Sequence, residues 1–379
     1  MKPARSKQDA ARCCRPLYIG MSRGFLARLP ARPAFAVVLF SALKRMRAGV
    51  YAGVNVILGL VLLAACTMPG DAAPIIKVGL IAPFEGLGRP LGYAVLPAVK
   101  LALAQANAAG ELGSYRVALV ALNDDGEPAA SAAQARALAQ DPDVVAALGP
   151  WGSDTAAAVA PVLREAGVAA LAVAPQAPGP GLRSLCPPPE EVAQALLAVA
   201  GGPGGGPPAL AGPSDALQLA LRTALGRSRF GVISSTVNFA DQARIYTGDA
   251  AGGADQLRQW RAQGWRGRML GGPDLARDWF GERAGPGAEG SLAVTCAPGA
   301  ELPADFTAGY RAQAGMPPGP DAVLAYYGTR LLLQAAAADI ARQGRPTREG
   351  VAVALAQEPV QTQALALELE GGQWAAAPR

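Results

Sequence analysis

The sequence of 379 residues contains no histidine, and this absence excludes several kinds of catalytic and metal site. Histidine is the commonest general base and the commonest zinc ligand, so a Ser-His-Asp triad cannot be built from this chain. No nucleophile elbow and no phosphate-binding loop occurs either. The stretch Leu148-Gly149-Pro150-Trp151-Gly152 has two glycines but lacks the spacing of a dinucleotide-binding turn. Carboxylates could still catalyse a reaction, but the sequence favours a protein that is not an enzyme.

Cysteine is also scarce, with five residues and no Cys-x-x-Cys pair, so no metal or thioredoxin-like signature is present. We expect no metal and no cofactor. Strong positive charge is missing from most of the chain as well. Residues 1–65 carry eleven Lys or Arg and one acidic residue, whereas the remainder has a net charge of −5. The pI of about 9.1 therefore reflects the N-terminal segment, and we expect no nucleic-acid partner.

The N-terminal segment has the layout of a secretory signal. Basic residues (Lys44, Arg45 and Arg47) precede an uncharged run over 48–65, which ends in Leu63-Ala64-Ala65-Cys66. The small-small-Cys ending resembles the lipobox of bacterial lipoproteins, in which the cysteine becomes the lipidated first residue. The alternative is a transmembrane anchor, which needs roughly 20 apolar residues. Both interpretations place the chain after Cys66 outside the cytoplasm. We assign 1–65 to leader and signal, disordered or helical, with translation starting at Met1 or Met46.

After a linker over 66–74, apolar runs alternate with helical patterns. Continuous apolar strands separated by long helices are typical of parallel βαβ units covered on both faces. The pattern predicts an α/β fold with two sections of similar kind. The predicted strands of the first section are 75–82, 116–122, 144–148 and 169–173, and its predicted helices are 92–109, 128–140 and 153–166.

Four stretches of the first section resemble the leucine/isoleucine/valine-binding family of periplasmic solute receptors. They read IKVGLIAPFEG, NAAGELG, LNDDGEPAASAAQARAL and VVAALGPWGSDTAAAVAPVLREAGV. A weaker match resumes at GADQLRQWRAQGWRGRMLGGPDL and continues to DAVLAYYGTRLLLQA. The resemblance implies two doubly wound, Rossmann-like lobes joined by three crossover strands, as in type I periplasmic-binding proteins. It places lobe 1 at 75–185 plus 297–363, and a shortened lobe 2 at 186–296 plus 364–379.

The resemblance also implies a ligand site at the carboxyl ends of the strands, beside helix N-termini. Ser153 matches the family position whose hydroxyl contacts the ligand's carboxylate, and the free N–H groups of its turn suit an anion. Asp154 is a further ligand candidate beside it, and its negative charge would repel an anion bound there. Either residue could instead merely cap the helix. Trp151 is a candidate wall for an apolar or planar ligand, or else a core residue.

Three further ligand candidates come from the same alignment. Gln176 stands at a backbone position that contacts ligand, while Pro178 replaces the hydroxyl that the family usually offers. Asp274 aligns with an acidic group that holds the ammonium, and Asp249 stands where the family often has an aromatic ring. Both aspartates could instead begin loops or helices.

The resemblance places Cys186 and Cys296 where the chain crosses between lobes, which suggests a hinge disulfide; two unrelated buried thiols are the alternative. The implied function is a lipid-anchored, extracytoplasmic solute-binding protein of an ABC importer. Its expected partners are a branched-chain amino acid or similar amphoteric or amide-like ligand, the permease, the ATPase subunits and the membrane. A ligand-sensing receptor domain, or a degenerate receptor without ligand, remains open.

Overall fold

The computed structural model describes residues 73–174, 182–201, 207–227, 242–299 and 301–377. The predicted leader with Cys66 and the turn that contains Gln176 lie outside these residues. In chain order the strands are β1 (Ile75–Ala82), β2 (Arg116–Asn123), β3 (Val144–Leu148), β4 (Ala169–Ala172), β5 (Leu182–Ser184), β6 (Ala209–Ala211), β7 (Arg244–Tyr246), β8 (Met269–Gly271), β9 (Leu292–Pro298), β10 (Thr362–Glu370) and β11 (Gln373–Ala376). The helices are α1 (Arg89–Ala109), α2 (Pro128–Gln140), α3 (Ser153–Glu165), α4 (Pro189–Ala200), α5 (Ala216–Arg227), α6 (Ala250–Ala262), α7 (Phe280–Ala284), α8 (Phe306–Ala314), α9 (Pro320–Gln343) and α10 (Arg348–Gln357).

The first lobe is built on a five-stranded sheet in the order β2-β1-β3-β4-β5, with every pair parallel. Its strands are apolar on both faces because helices cover both. Val78 and Leu80 of β1 pack in a core cluster with α1, α8, α9 and α10. Ile81 of the same strand points the other way, into a cluster with α2 and α3. This period-2 alternation gives three layers, helix on sheet on helix.

The second lobe is built on a six-stranded sheet in the order β11-β10-β9-β8-β7-β6. Strands β6 to β9 are parallel, whereas β10 is antiparallel to β9 and β11 is antiparallel to β10. Ile245 of β7 packs with α4 and α5 on one face of the sheet. The adjacent Tyr246 packs with α6 and α7 on the other face. Both lobes are therefore doubly wound α/β units.

The chain passes three times between the two lobes, after β5, after β9 and before β10. A disulfide links Cys186, just after β5, to Cys296 in β9, with the Cα atoms 5.0 Å apart. Both cysteines are buried in the core cluster of the first lobe. The disulfide therefore lies where the chain passes from one lobe to the other.

Some helix and strand limits differ from the sequence-based prediction, for local reasons. Helix α1 begins at Arg89, not at residue 92. Pro90 lies in its first turn, where proline is favourable, and Gly92 lies inside the helix. A Cβ at Gly92 would lie 2.2 Å from the carbonyl oxygen of Pro83, so glycine permits a close approach there. Strand β11 was not predicted from the sequence. It follows β10 through Gly371 and Gly372, whose φ angles of 57° and 80° suit a tight hairpin.

Within the described ranges, no helix is both long enough and apolar enough to cross a bilayer. No cluster of three or more His, Cys, Asp or Glu that could hold a metal ion is found among those same residues.

Candidate functional site

A cavity of about 340 Å³ lies between the two lobes. The first lobe contributes residues from three loops that follow β1, β2 and β3, and the second lobe contributes residues that follow β6, β7 and β8. In both parallel sheets these are the carboxyl ends of the strands, where ligands bind in open α/β sheets. The lining residues fall within 83–91, 125–128, 151–155, 213–215, 247–251 and 274–279.

The loop from β3 to α3 requires glycine at its start. Gly149 has φ of 93°, and a Cβ there would lie 2.1 Å from the carbonyl oxygen of Ile81. Gly152 is the residue before α3 and supplies no side chain to cap the helix. The first N–H groups of α3 therefore face the cavity without a cap from their own lobe.

The cap comes from the opposite lobe. The Ser153 hydroxyl donates a hydrogen bond of 2.8 Å to Oδ2 of Asp274, and the Ser153 N–H donates a longer one of 3.3 Å to the same oxygen. Burial raises the pKa of the Asp274 carboxyl, and the nearby Arg277 guanidinium and the hydrogen bonds from Ser153 oppose that shift. The two loops that the sequence singled out thus meet directly across the cavity.

Arg277 is a second tie between the lobes, and it is only 8% exposed. Its guanidinium lies 3.5 Å from Oδ1 of Asp274 in its own lobe. It also lies 3.3 Å from Oδ1 of Asp321 in α9, and it donates to the carbonyl oxygen of Trp151 at 3.2 Å. Burial raises the pKa of Asp321 to about 6, although Arg277 acts against that shift. The positive charge of Arg277 is therefore shared by two carboxylates of the protein itself.

Two more aspartates occupy helix N-termini on the second lobe. Asp249 caps α6 by accepting a hydrogen bond of 2.7 Å from the N–H of Gly252. Asp215, just before α5, accepts one of 2.7 Å from the N–H of Gln218. Burial raises the pKa of Asp215 to about 6, and the charges of Asp274 and Asp154 add to that shift. Both aspartates belong to the cavity lining.

Two tryptophans line the cavity from opposite lobes. Trp151 is 6% exposed and belongs to the core cluster of the first lobe. Trp279 packs against the core of the second lobe. The indole nitrogen of each is buried without a hydrogen-bond partner. Trp151 is thus both a core residue and part of the cavity wall.

The structure brings together five of the six residues that the sequence marked as ligand candidates. Trp151, Ser153, Asp154, Asp249 and Asp274 all line the one cavity, while Gln176 lies outside the described residues.

Sequence reasoning missed three charged residues at this site, namely Arg277, Asp215 and Asp321. Arg277 follows Asp274 by three positions, and Asp215 stands directly before a helical pattern, so both carried a local signal. Asp321 carried none, because only packing places α9 beside the loop of the other lobe.

Comparison with known proteins agrees with this fold. Residues 75–228 match the family model described as periplasmic binding protein. No curated protein matches the chain by sequence. Among solved structures, a leucine binding protein from Thermotoga maritima is 21% identical with a TM-score of 0.66, over 80% of this chain and 98% of that one.

Two further solved structures are similar to the same extent. The branched-chain amino acid transporter substrate binding protein from Streptococcus pneumoniae, in complex with isoleucine, is 20% identical with a TM-score of 0.64, over 80% and 98% of the chains. An ABC transporter substrate-binding protein from Desulfitobacterium hafniense, in complex with Leu, is 18% identical with a TM-score of 0.64, over 80% and 100%. The described part of the chain has the type I periplasmic-binding-protein fold, as the resemblance stated from the sequence implied.

Proposed function

We propose that this protein is an extracytoplasmic solute-binding lipoprotein of an ABC importer and performs no chemical reaction. It binds a branched-chain amino acid or a similar small amphoteric ligand between its lobes and delivers it to a permease driven by ATPases. A lipid on Cys66 holds it at the membrane. We take the lobes to be 75–185 plus 297–363 and 186–296 plus 364–379, as in the sequence-based division.

The observation that carries this proposal is the cavity between two doubly wound lobes, with Ser153 on one wall and Asp274 on the other. A ligand that touches both walls has its full set of contacts only when the lobes are closed. Binding then shifts the equilibrium toward the closed state, and that shift is the signal that a permease can recognise. The three solved structures named above, two of them with an amino acid bound, support the assignment.

Within the cavity, Trp151, Ser153, Asp154, Asp249 and Asp274 are the proposed ligand contacts, together with Gln176. A carboxylate beside an amine in a closed cleft makes a strong, charge-assisted hydrogen bond, which suits Asp249 and Asp274. The apolar surface of Trp151 suits the ligand's side chain.

A thermal-shift screen of the purified protein tests the proposal. The panel contains the common amino acids, their amides, urea and small carboxylates. A ligand at 100 times its dissociation constant adds about 2.7 kcal/mol of stability, which for a chain of this size raises the Tm by roughly 4 °C. The Ser153→Ala variant should lose part of that shift, whereas Ser131→Ala, a buried serine outside the cavity, should keep it. If no compound in the panel shifts the Tm, the degenerate-receptor alternative is the correct one.

Lipid attachment is tested separately, by incorporation of a labelled fatty acid in a bacterial host. The wild-type protein should be labelled, Cys66→Ser should not, and Cys14→Ser serves as the matched control that keeps the label. Equal labelling of all three proteins contradicts lipidation at Cys66. Loss of ligand uptake in a strain that lacks the protein, with restoration by the wild type, separates transport from sensing.

A further inference from the structure

The lining of the cavity is strongly acidic. Among the described residues it holds six carboxylates and one guanidinium. The carboxylates are those of Asp125, Glu127, Asp154, Asp215, Asp249 and Asp274, and the guanidinium is that of Arg277. A cleft with low-dielectric walls and charge of one sign concentrates ligands of the opposite sign.

The single guanidinium does not offset this charge, because it is already paired. Arg277 contacts Asp274 and Asp321, and its remaining hydrogen bond at the site goes to a backbone carbonyl. A ligand carboxylate that approached Arg277 would have to compete with two carboxylates of the protein. The described lining therefore has no free cation for a ligand's carboxylate.

Helix N-termini would be the other place for an anion, and four of those at the cavity carry a carboxylate of the chain, whereas the N-terminus of α1 has no acidic residue in its first turn. Glu127 precedes α2, Asp154 is the second residue of α3, Asp215 precedes α5 and Asp249 caps α6. A carboxylate at a helix N-terminus interacts favourably with the helix dipole and satisfies its orphan N–H groups. Asp215 and Asp249 accept hydrogen bonds from the N–H groups of their helices, whereas the Glu127 side chain makes no such bond.

The hydrogen-bond donors of Ser153 are likewise occupied by a carboxylate of the chain. Its hydroxyl and its N–H both donate to Asp274, so a side-chain carboxylate takes the place where the carboxylate of an amino acid would bind.

The tryptophans supply an independent observation. Trp151 is more than nine-tenths buried and lines the cavity, and its indole N–H has no acceptor. The indole N–H of Trp279, also on the lining, has none either. A buried donor without a partner is costly, so a ligand that fits this cavity should bring a hydrogen-bond acceptor.

The following inference rests on the proposed function, and these observations narrow the class of ligand that the cavity binds. We infer that the cavity binds a cationic ligand in preference to an amino acid with a free carboxylate. This ligand is an ammonium or amidinium compound, and its hydrogen-bond acceptor is the neutral oxygen of an amide or hydroxyl group. The acidic lining holds the cation, Asp274 occupies the carboxylate position, and the tryptophan N–H groups meet the neutral oxygen.

Matched pairs of an amino acid and its amide test this inference by titration calorimetry at pH 7, where an α-amino group with a pKa of about 7.7–8.0 is mostly protonated. The pairs are alanine and alaninamide, leucine and leucinamide, and phenylalanine and phenylalaninamide. In at least one pair the amide should bind tenfold or more tightly than its amino acid. Its affinity should also fall when the ionic strength rises from 20 to 200 mM, because salt screens the attraction of the acidic lining.

Two variants on the same helix complete the test. Asp154→Asn removes one carboxylate from the cavity and should weaken binding of the amide several-fold. Glu165→Gln removes one from the exposed far end of α3, outside the cavity, and should leave the affinity unchanged. Amino acids that bind more tightly than their amides in all pairs would overturn the inference while the proposed function stands. The inference would also be overturned if none of the six compounds binds. In that case the wider thermal-shift panel shows whether the proposed function is wrong as well.

Discussion

Replacement of Arg277 by methionine should destabilise the protein strongly, and by an amount that depends on pH. Arg277 and its two carboxylate partners have side-chain exposures of 10, 15 and 18%. Removal of one partner from a buried ion pair typically costs about 3–5 kcal/mol, because the remaining charges are left uncompensated. Methionine keeps much of the length of the side chain, so the loss of charge dominates over the loss of volume.

The sign of the pH dependence follows from Asp321. Its pKa is about 6 in the folded protein and 3.8 as a free group, so its ionisation lowers the stability as the pH rises from 3.8 to about 6, and the loss is complete above that range. In the wild type Arg277 offsets this cost, and in Arg277→Met nothing does. We expect a loss of about 3–5 kcal/mol at pH 8. At pH 5, where Asp321 is protonated, the loss should fall to about 1–2 kcal/mol, the value of hydrogen bonds alone.

Urea denaturation followed by tryptophan fluorescence measures both values. Arg283→Met is the matched control, since Arg283 pairs with the half-exposed Asp255 on the same lobe, and an exposed pair contributes at most about 1 kcal/mol. A double variant that adds Asp321→Asn should recover part of the loss at pH 8. A loss below 1 kcal/mol at pH 8, or an equal loss at both pH values, would refute the assignment of Arg277 as a charged tie between the lobes.

The other predictions concern stability. The disulfide closes a loop of 110 residues, so the double variant of Cys186→Ala and Cys296→Ala should lose up to about 4–5 kcal/mol in urea denaturation, and an unchanged midpoint would contradict this. Arg348→Met should lose about 3 kcal/mol in the same assay while the exposed Arg345→Met loses almost nothing, because the Arg348 guanidinium donates to the carbonyl oxygens of Val144, Ala166, Ala139 and Asp141. Asp215→Asn should raise the Tm relative to the wild type at pH 8 but not at pH 4. The folded pKa of Asp215, about 6, lies above 3.8, so its ionised form opposes folding as the pH rises through that window, and equal Tm values at pH 8 would rule this out.

The α/β architecture could be predicted from the sequence, because apolar strands alternate with long helices along the chain. Several helix boundaries are also visible as proline, a capping residue or glycine, among them Pro128 at the start of α2 and Thr347 before α10. The loop from β3 to α3 was also readable, because Gly149 and Ser153 are residue types that such a turn needs. The resemblance to solute receptors, added to this local information, led to the prediction of a cavity with Ser153 and Asp274 on its walls.

Which charges meet in that cavity depends on the packing of the two lobes and could not be predicted from the sequence. Ser153 and Asp274 are 121 positions apart, and Arg277 and Asp321 are 44 positions apart, so no local pattern reveals either contact. Both contacts exist because the chain crosses three times between the two lobes and brings loops from separate lobes together. Asp274, proposed to hold a ligand's ammonium, also accepts hydrogen bonds from Ser153 at the N-terminus of α3, and Arg277 is paired with two carboxylates of the chain. Burial and partners, which depend on the whole fold, set the chemistry of residues whose identities the sequence already showed.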